Sequence, residues 1–74
     1  MKGSVKIKIS PSEAQKIAET YVKEPGAKVG IPQLDEVNGQ MMYIVPIEIN
    51  GSPVGEITIN AVTGENMGGA GGAP

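Results

Sequence analysis

Acidic and hydroxyl side chains are the residues of this 74-residue chain that could do chemistry, because it contains no histidine and no cysteine. Asp35 and Glu36 are adjacent acids, but successive residues of a strand point to opposite faces and cannot grip one metal ion together. Glu48 and Glu56 are predicted to share a sheet face, yet an open sheet offers no cleft for a glycosidase pair. We therefore expect no catalytic residue, no metal site and no cofactor.

The serines need a neighbouring base to act as nucleophiles, and no histidine can supply one. The run Ser10-Pro11-Ser12-Glu13 instead has the pattern of a helix start, with a capping serine, a proline at the first helical position and a glutamate that reaches back. A chain this short obtains only roughly 3–5 kcal/mol from a single core, which is little for a deep, strained active site. These features favour a small binding module over an enzyme.

Charge and hydropathy exclude further classes of function. The net charge of −2 and the isoelectric point of about 4.9 give no basic surface for nucleic acid, and the only aromatic residues are two tyrosines. No stretch approaches the ~18 apolar residues of a membrane span, so we expect a soluble chain. The sequence leaves the compartment open, and the start Met-Lys-Gly-Ser is compatible with an excised extracytoplasmic domain.

The secondary structure that positions these residues can be predicted from apolar spacing. Alternation over residues 5–9 predicts a strand. A helix is predicted from residue 11 to about residue 23, ended by Pro25-Gly26, with an apolar face of Ala14, Ile17, Ala18, Tyr21 and Val22. Strands are predicted over residues 29–37 with an interruption at Pro32, then over residues 40–49 and 54–60.

Two turns set the predicted strand pairing. Asn38-Gly39 is typical of a two-residue type I′ hairpin, which places Leu34 opposite Tyr43. A three-residue loop over residues 50–52 is preferred for the next hairpin, because it pairs Val45 with Ile57 and Tyr43 with Ile59 on one face.

The predicted fold is α+β, with one amphipathic helix packed on an antiparallel sheet of three to four strands in strand-helix-strand-strand-strand order. Its core combines one face of the sheet with one face of the helix. The expected core residues are Leu34, Tyr43, Val45, Ile47, Ile57 and Ile59, together with Ile17, Tyr21 and Val22.

Three segments carry a resemblance to a known family. Residues 9–14 open the helix, residues 43–47 contain Tyr-x-Val, and residues 55–65 close a strand in Asn-Ala-Val-Thr-Gly. Together they resemble a PepSY domain over residues 5–66, with an N-terminal extension over residues 1–4 and a disordered, glycine-rich tail over residues 67–74. Asn60 stands where the family usually has aspartate, which puts in doubt any ion or charge contact made there.

The resemblance implies a small α+β fold and no catalysis. Such domains occur in propeptides of thermolysin-like metalloproteases and in bacterial and archaeal envelope proteins. The resemblance further implies a regulatory role that binds or restrains a peptidase or another envelope protein.

The sheet face turned away from the helix is the predicted contact surface, with Met42, Ile44, Val54 and Thr58 as candidate partner-binding residues. Three alternatives remain open. The face is ordinary solvated sheet, it pairs with a second copy of the chain, or the partner instead adds to an unpaired strand edge.

Overall fold

The computed structural model describes residues 7–68, which form one helix followed by four antiparallel strands. The α+β class, with a helix packed on an antiparallel sheet, is confirmed. The elements are α1 (Pro11–Glu19), β1 (Ala27–Val29), β2 (Gln33–Val37), β3 (Gln40–Ile49) and β4 (Ser52–Asn60).

β3 is the central strand, and β1, β2 and β4 all pair with it. β4 lies along one edge of β3, while β1 and β2 follow one another along the other edge. β2 lies within the strand predicted over residues 29–37, and the expected interruption at Pro32 is present. β1 overlaps the predicted range only at Val29, so its start at Ala27 was not predicted.

Pro46 explains the position of this division. Its carbonyl oxygen accepts a 2.8 Å hydrogen bond from the backbone nitrogen of Gly30, so the backbone of Pro46 faces the edge that carries β1 and β2. Proline has no N–H to continue a ladder on that edge. The side-chain amide of Gln15 donates to the carbonyl of Gly30 at 2.9 Å and ties the helix to the same point.

The strand predicted over residues 5–9 is not a strand in its described part. Residues 7–9 have no strand assignment, and residues 1–6 lie outside the described residues. The backbone nitrogens of Lys8 and Ile9 both donate to the carbonyl of Ala61 at 3.0 Å. The two donors share one acceptor, which anchors the segment beside the end of β4 without forming a ladder.

The helix begins as predicted and ends earlier than predicted. Ser10 Oγ accepts from the backbone nitrogen of Glu13 at 3.2 Å, and the Ser10 nitrogen donates to Glu13 Oε1 at 2.9 Å, which completes the capping box. The bond that the Ser10 backbone nitrogen donates to the Glu13 carboxylate, and after it the interaction with the Ser10 hydroxyl, lower the pKa of the Glu13 side chain. After Glu19, the backbone nitrogens of residues 20–22 each donate to the carbonyl three residues earlier, as in a 3₁₀-helix. The side chain of Tyr21 in this turn is exposed. The prediction that Tyr21 belongs to the core is wrong.

The β3–β4 hairpin reaches the predicted register by a different route. Its loop has two residues, Asn50 and Gly51, with φ of 54° and 78°, so the predicted three-residue loop is wrong. The predicted pairing of Val45 with Ile57 is nevertheless present. Val54 restores this pairing, because it is an extra residue that forms a β-bulge in β4. The bulge shifts the residues that follow it by one position, which returns Ile57 to the core face.

The core lies between α1 and one face of the sheet. Its buried members include five of the predicted sheet residues, while Ile17 and Val22 pack against it partly buried. Leu34 lies opposite Tyr43 as predicted but is 45% exposed, so its assignment to the core is wrong. The reason is that the short helix packs mainly against β1, β3 and β4 and leaves β2 uncovered. The buried residues are Ala14, Ala18, Tyr43, Val45, Ile47, Ile57, Ile59 and Ala61.

Candidate partner-binding surface

The outer face of the sheet, the face turned away from α1, carries alternate residues of β3. Met42 pairs with Asp35 on one side and Asn60 on the other, and Ile44 pairs with Thr58. Because directly paired residues of neighbouring strands share a face, Met42, Ile44 and Thr58 lie together.

These three residues line a shallow groove of about 460 Å³ on the outer face. Its other lining residues come from the end of the β2–β3 hairpin and from the end of the described residues. They are Val37, Asn38, Gln40, Met67 and Gly68. The groove therefore joins three strands of the sheet, β2, β3 and β4, to a segment that follows the sheet in sequence.

The groove has a buried floor and an exposed apolar rim. Met42 is only 5% exposed and Ile44 is half-buried, although both were expected to be open to a partner. Val37 and Met67 are 39% and 48% exposed. An approaching surface would touch Val37 and Met67 before it reached Met42.

Val54, the fourth candidate residue, does not line this groove. It is exposed and lies at the bulge of β4, toward the Asn50-Gly51 turn. The structure thus groups three of the four candidate residues and separates the fourth, and the partner-binding role of all four stays a prediction.

Sequence reasoning missed Val37 and Met67. Val37 could have been found, because the Asn38-Gly39 turn pairs it with Gln40, two residues from Met42 on the same face. Met67 lies in the tail predicted over residues 67–74. Residues 69–74 lie outside the described residues, whereas Met67 and Gly68 are hydrogen-bonded to β4.

Asn60 organises the turn that brings Met67 back to the sheet. Its Oδ1 accepts from the backbone nitrogens of Val62 and Thr63 at 2.8 and 3.0 Å, and its carbonyl accepts from the Gly64 nitrogen at 2.8 Å. Gly64 has φ of 81°, a conformation that glycine adopts without strain. An aspartate at position 60 could accept the same two bonds, so the side chain here has a role in the turn that requires no ion.

Residues 65–68, which we call the C-terminal segment, pair antiparallel with the edge of β4 that faces away from β3. The nitrogen of Asn60 donates to the carbonyl of Glu65, and the nitrogen of Thr58 to that of Gly68, both at 2.8 Å. Met67 returns a bond from its nitrogen to the carbonyl of Thr58 at 2.7 Å. Asn66 forms a bridge with Ile59.

The charged groups of the outer face are mostly acidic. Asp35 lies beside Met42, and Glu56 lies two residues before Thr58 on the same face of β4. Lys28 pairs with Glu48 farther along the sheet. Among residues 7–68, no group of three or more histidines, cysteines or acids could hold a metal ion.

The adjacent acids behave as their strand positions dictate. Asp35 pairs with Met42 on the outer face, while Glu36 pairs with Met41 on the opposite face. Asp35 Oδ1 accepts a 2.9 Å hydrogen bond from the backbone nitrogen of Glu36, so this carboxylate oxygen is already bonded within β2.

Comparison with known protein families identifies a family for most of the chain. Residues 8–68 match the PepSY family model, described as "Peptidase propeptide and YPEB domain". No curated protein and no solved structure matches the chain. Across the described range, the structure contains no helix long and apolar enough to cross a membrane.

Proposed function

This chain belongs to the PepSY family, and we propose that it is a non-catalytic domain that binds and restrains a peptidase through the groove of its outer face. The family description names a peptidase propeptide, which supports a peptidase as the partner. The observation that carries the choice of surface is the apolar rim formed by Val37 and Met67 above the buried side chain of Met42.

Burial argues for this surface over the opposite face. On the opposite face, α1 already covers the core over β1, β3 and β4, although Leu34 of β2 stays exposed at its margin. On the outer face, Val37, Ile44 and Met67 keep apolar area in water, and covering that area with a partner would be favourable.

Charge adds a preference for the kind of partner. Asp35 and Glu56 lie on the outer face, and the whole chain has a net charge of −2. A partner surface with an apolar projection flanked by lysine or arginine would complement both the groove and its acidic surroundings.

Val37→Lys tests the proposal, with Leu34→Lys as its matched control. Both residues lie in β2 and are similarly exposed, but Val37 faces the groove and Leu34 faces the opposite side. The assay measures the cleavage rate of a purified thermolysin-like metallopeptidase as the concentration of the chain is raised. We expect the unmodified chain and Leu34→Lys to slow cleavage, and Val37→Lys to need at least about tenfold more protein.

Two results would contradict the proposal. One is equal inhibition by the unmodified chain, Val37→Lys and Leu34→Lys. The other is an equal loss of inhibition in the two variants. Circular dichroism of each variant confirms that the comparison is between folded proteins.

Self-association through the same groove is the second candidate function, and the exposed rim of Val37 and Met67 favours it. Sedimentation equilibrium would show a dimer that Val37→Lys converts to monomer while Leu34→Lys does not. Met42→Glu is unsuitable for either test, because Met42 is nearly buried and a charge there would destabilise the fold itself.

A further inference from the structure

The C-terminal segment shows what the outer edge of β4 accepts. It is an extended stretch antiparallel to β4, held by hydrogen bonds of 2.7–2.8 Å that involve the backbones of Thr58 and Asn60. Within residues 7–68, pairing on this edge ends at Thr58, although β4 itself continues back to Ser52.

The contacts that hold the segment are mainly polar. Besides the bonds to β4, the nitrogen of Gly68 donates to Asn66 Oδ1 at 2.7 Å, a bond internal to the segment. The apolar side chain of Met67 lines the groove but is about half exposed. A segment with many backbone bonds and little apolar burial opens at a lower free energy than the core does.

We propose that the edge of β4 is a strand-addition site, and that the C-terminal segment is a built-in ligand that an extended peptide of the partner replaces. This inference rests on the proposed function and specifies how the partner is held. The incoming peptide runs antiparallel to β4, gives and receives backbone bonds at Thr58, and places an unbranched apolar side chain where Met67 now lines the groove.

The length of β4 supplies the free energy for exchanging the C-terminal segment for a peptide. A peptide that continues past Thr58 toward Ser52 makes more main-chain bonds than the four-residue segment makes. The built-in segment opposes this exchange, because its attachment to the same chain gives it an effective concentration in the millimolar range. Short peptides therefore bind the unmodified chain weakly, and loosening the segment should expose the site.

Met67→Pro loosens the segment without touching the core. It removes the N–H that donates to Thr58, and position 67 is exposed. Amide hydrogen exchange followed by NMR supplies the readout. The amides of Thr58 and Asn60 report on the segment, and the amide of Ile57 serves as control because Ile57 pairs with Val45 of β3.

The probe is a synthetic peptide with the sequence of residues 63–68, Thr-Gly-Glu-Asn-Met-Gly. Its control carries a methyl group on the methionine amide nitrogen, which removes the donor that Thr58 accepts. In Met67→Pro we expect the Thr58 amide to exchange at least about tenfold faster, with Ile57 unchanged. Millimolar peptide should then restore protection at Thr58, and the methylated peptide should not.

The inference is overturned if the peptide restores no protection in Met67→Pro, or if the methylated peptide protects equally well. An unaltered exchange rate at Thr58 in that variant would also overturn it, since the segment would then not be what shields the edge. These results are separate from peptidase inhibition. Inhibition sensitive to Val37→Lys without peptide protection refutes strand addition alone, whereas peptide protection without inhibition refutes the proposed function alone.

Discussion

Truncation of Ile57 to alanine should remove most of the stability of this domain. Ile57 is fully buried, pairs with Val45 and belongs to the core under α1. The change deletes three carbon atoms, and at ~0.8 kcal/mol each the lost transfer free energy is ~2.4 kcal/mol. Incomplete collapse around the cavity raises the expected cost to about 3 kcal/mol, inside the range of ~2–5 kcal/mol for such truncations.

This cost is large because the domain is small. A single core of this size supplies roughly 3–5 kcal/mol, so Ile57→Ala should leave about 2 kcal/mol or less. The unfolding equilibrium constant would rise by roughly a hundredfold. Urea denaturation followed by far-UV circular dichroism measures the change. With a slope of about 1 kcal/mol per molar for so short a chain, the midpoint should fall by about 3 M, or the protein should be largely unfolded without urea.

Ile31→Ala is the matched control, because it makes the same chemical change at a side chain that is 75% exposed. It should alter stability by less than about 0.5 kcal/mol. Ile57→Val, which removes one carbon, should cost about 0.5–1.5 kcal/mol. Equal effects at positions 31 and 57, or a loss below about 1 kcal/mol for Ile57→Ala, would show that the core assignment is wrong.

Four further predictions follow from local contacts. Ser10→Ala should cost ~0.5–2 kcal/mol in urea melts by removing the acceptor for the Glu13 nitrogen. Folding lowers the pKa of the Glu13 side chain, so ionised Glu13 stabilises the folded protein above its unfolded-state pKa, and this stabilisation is lost as the pH falls through its folded-state pKa. As the pH is lowered below about 4.5, the melting temperature should therefore fall less in Glu13→Gln than in the unmodified chain. Asn60→Ala should cost ~1–3 kcal/mol by leaving the Val62 and Thr63 nitrogens without their acceptor, while Asn60→Asp should retain stability; equal losses in both would contradict the turn role. Deletion of Val54 should preserve the Val45–Ile57 pairing, because it removes only the bulge residue, and cross-strand NOEs would reveal any shift.

The parts of the fold that depend on local sequence were predictable. The capping box of Ser10 and Glu13 involves residues three apart and is present as expected. The turn at Asn38-Gly39 fixes the whole β2–β3 register by counting outward from Val37 and Gln40.

The β3–β4 hairpin shows where counting becomes ambiguous. Placing Val45 opposite Ile57 requires one surplus residue, and parity alone does not say whether the loop or the strand contains it. Asn50-Gly51 has the same two-residue turn preference as Asn38-Gly39, and that preference places the surplus at Val54.

Burial was harder to predict than pairing, because it depends on what covers a residue. Leu34 is on the predicted face but lies beyond the reach of a helix that ends at Glu19. Met42 is on the predicted outer face but is nearly buried in the groove that Met67 also lines. A glycine-rich tail gives little apolar signal, so the return of Met67 to the sheet could not be found from composition.

The break between β1 and β2 opposite Pro46 also bears on solubility. An uninterrupted edge strand is a template on which other chains can stack and aggregate. Here the edge is divided into pieces of three and five residues, and the Glu36 nitrogen in the longer piece is already bonded to Asp35. Charged side chains on the longer piece repel a second copy at close approach. A domain of low stability populates partly unfolded molecules, which expose sheet edges to other chains. The short, acidic edge formed by β1 and β2 limits aggregation that starts from such molecules.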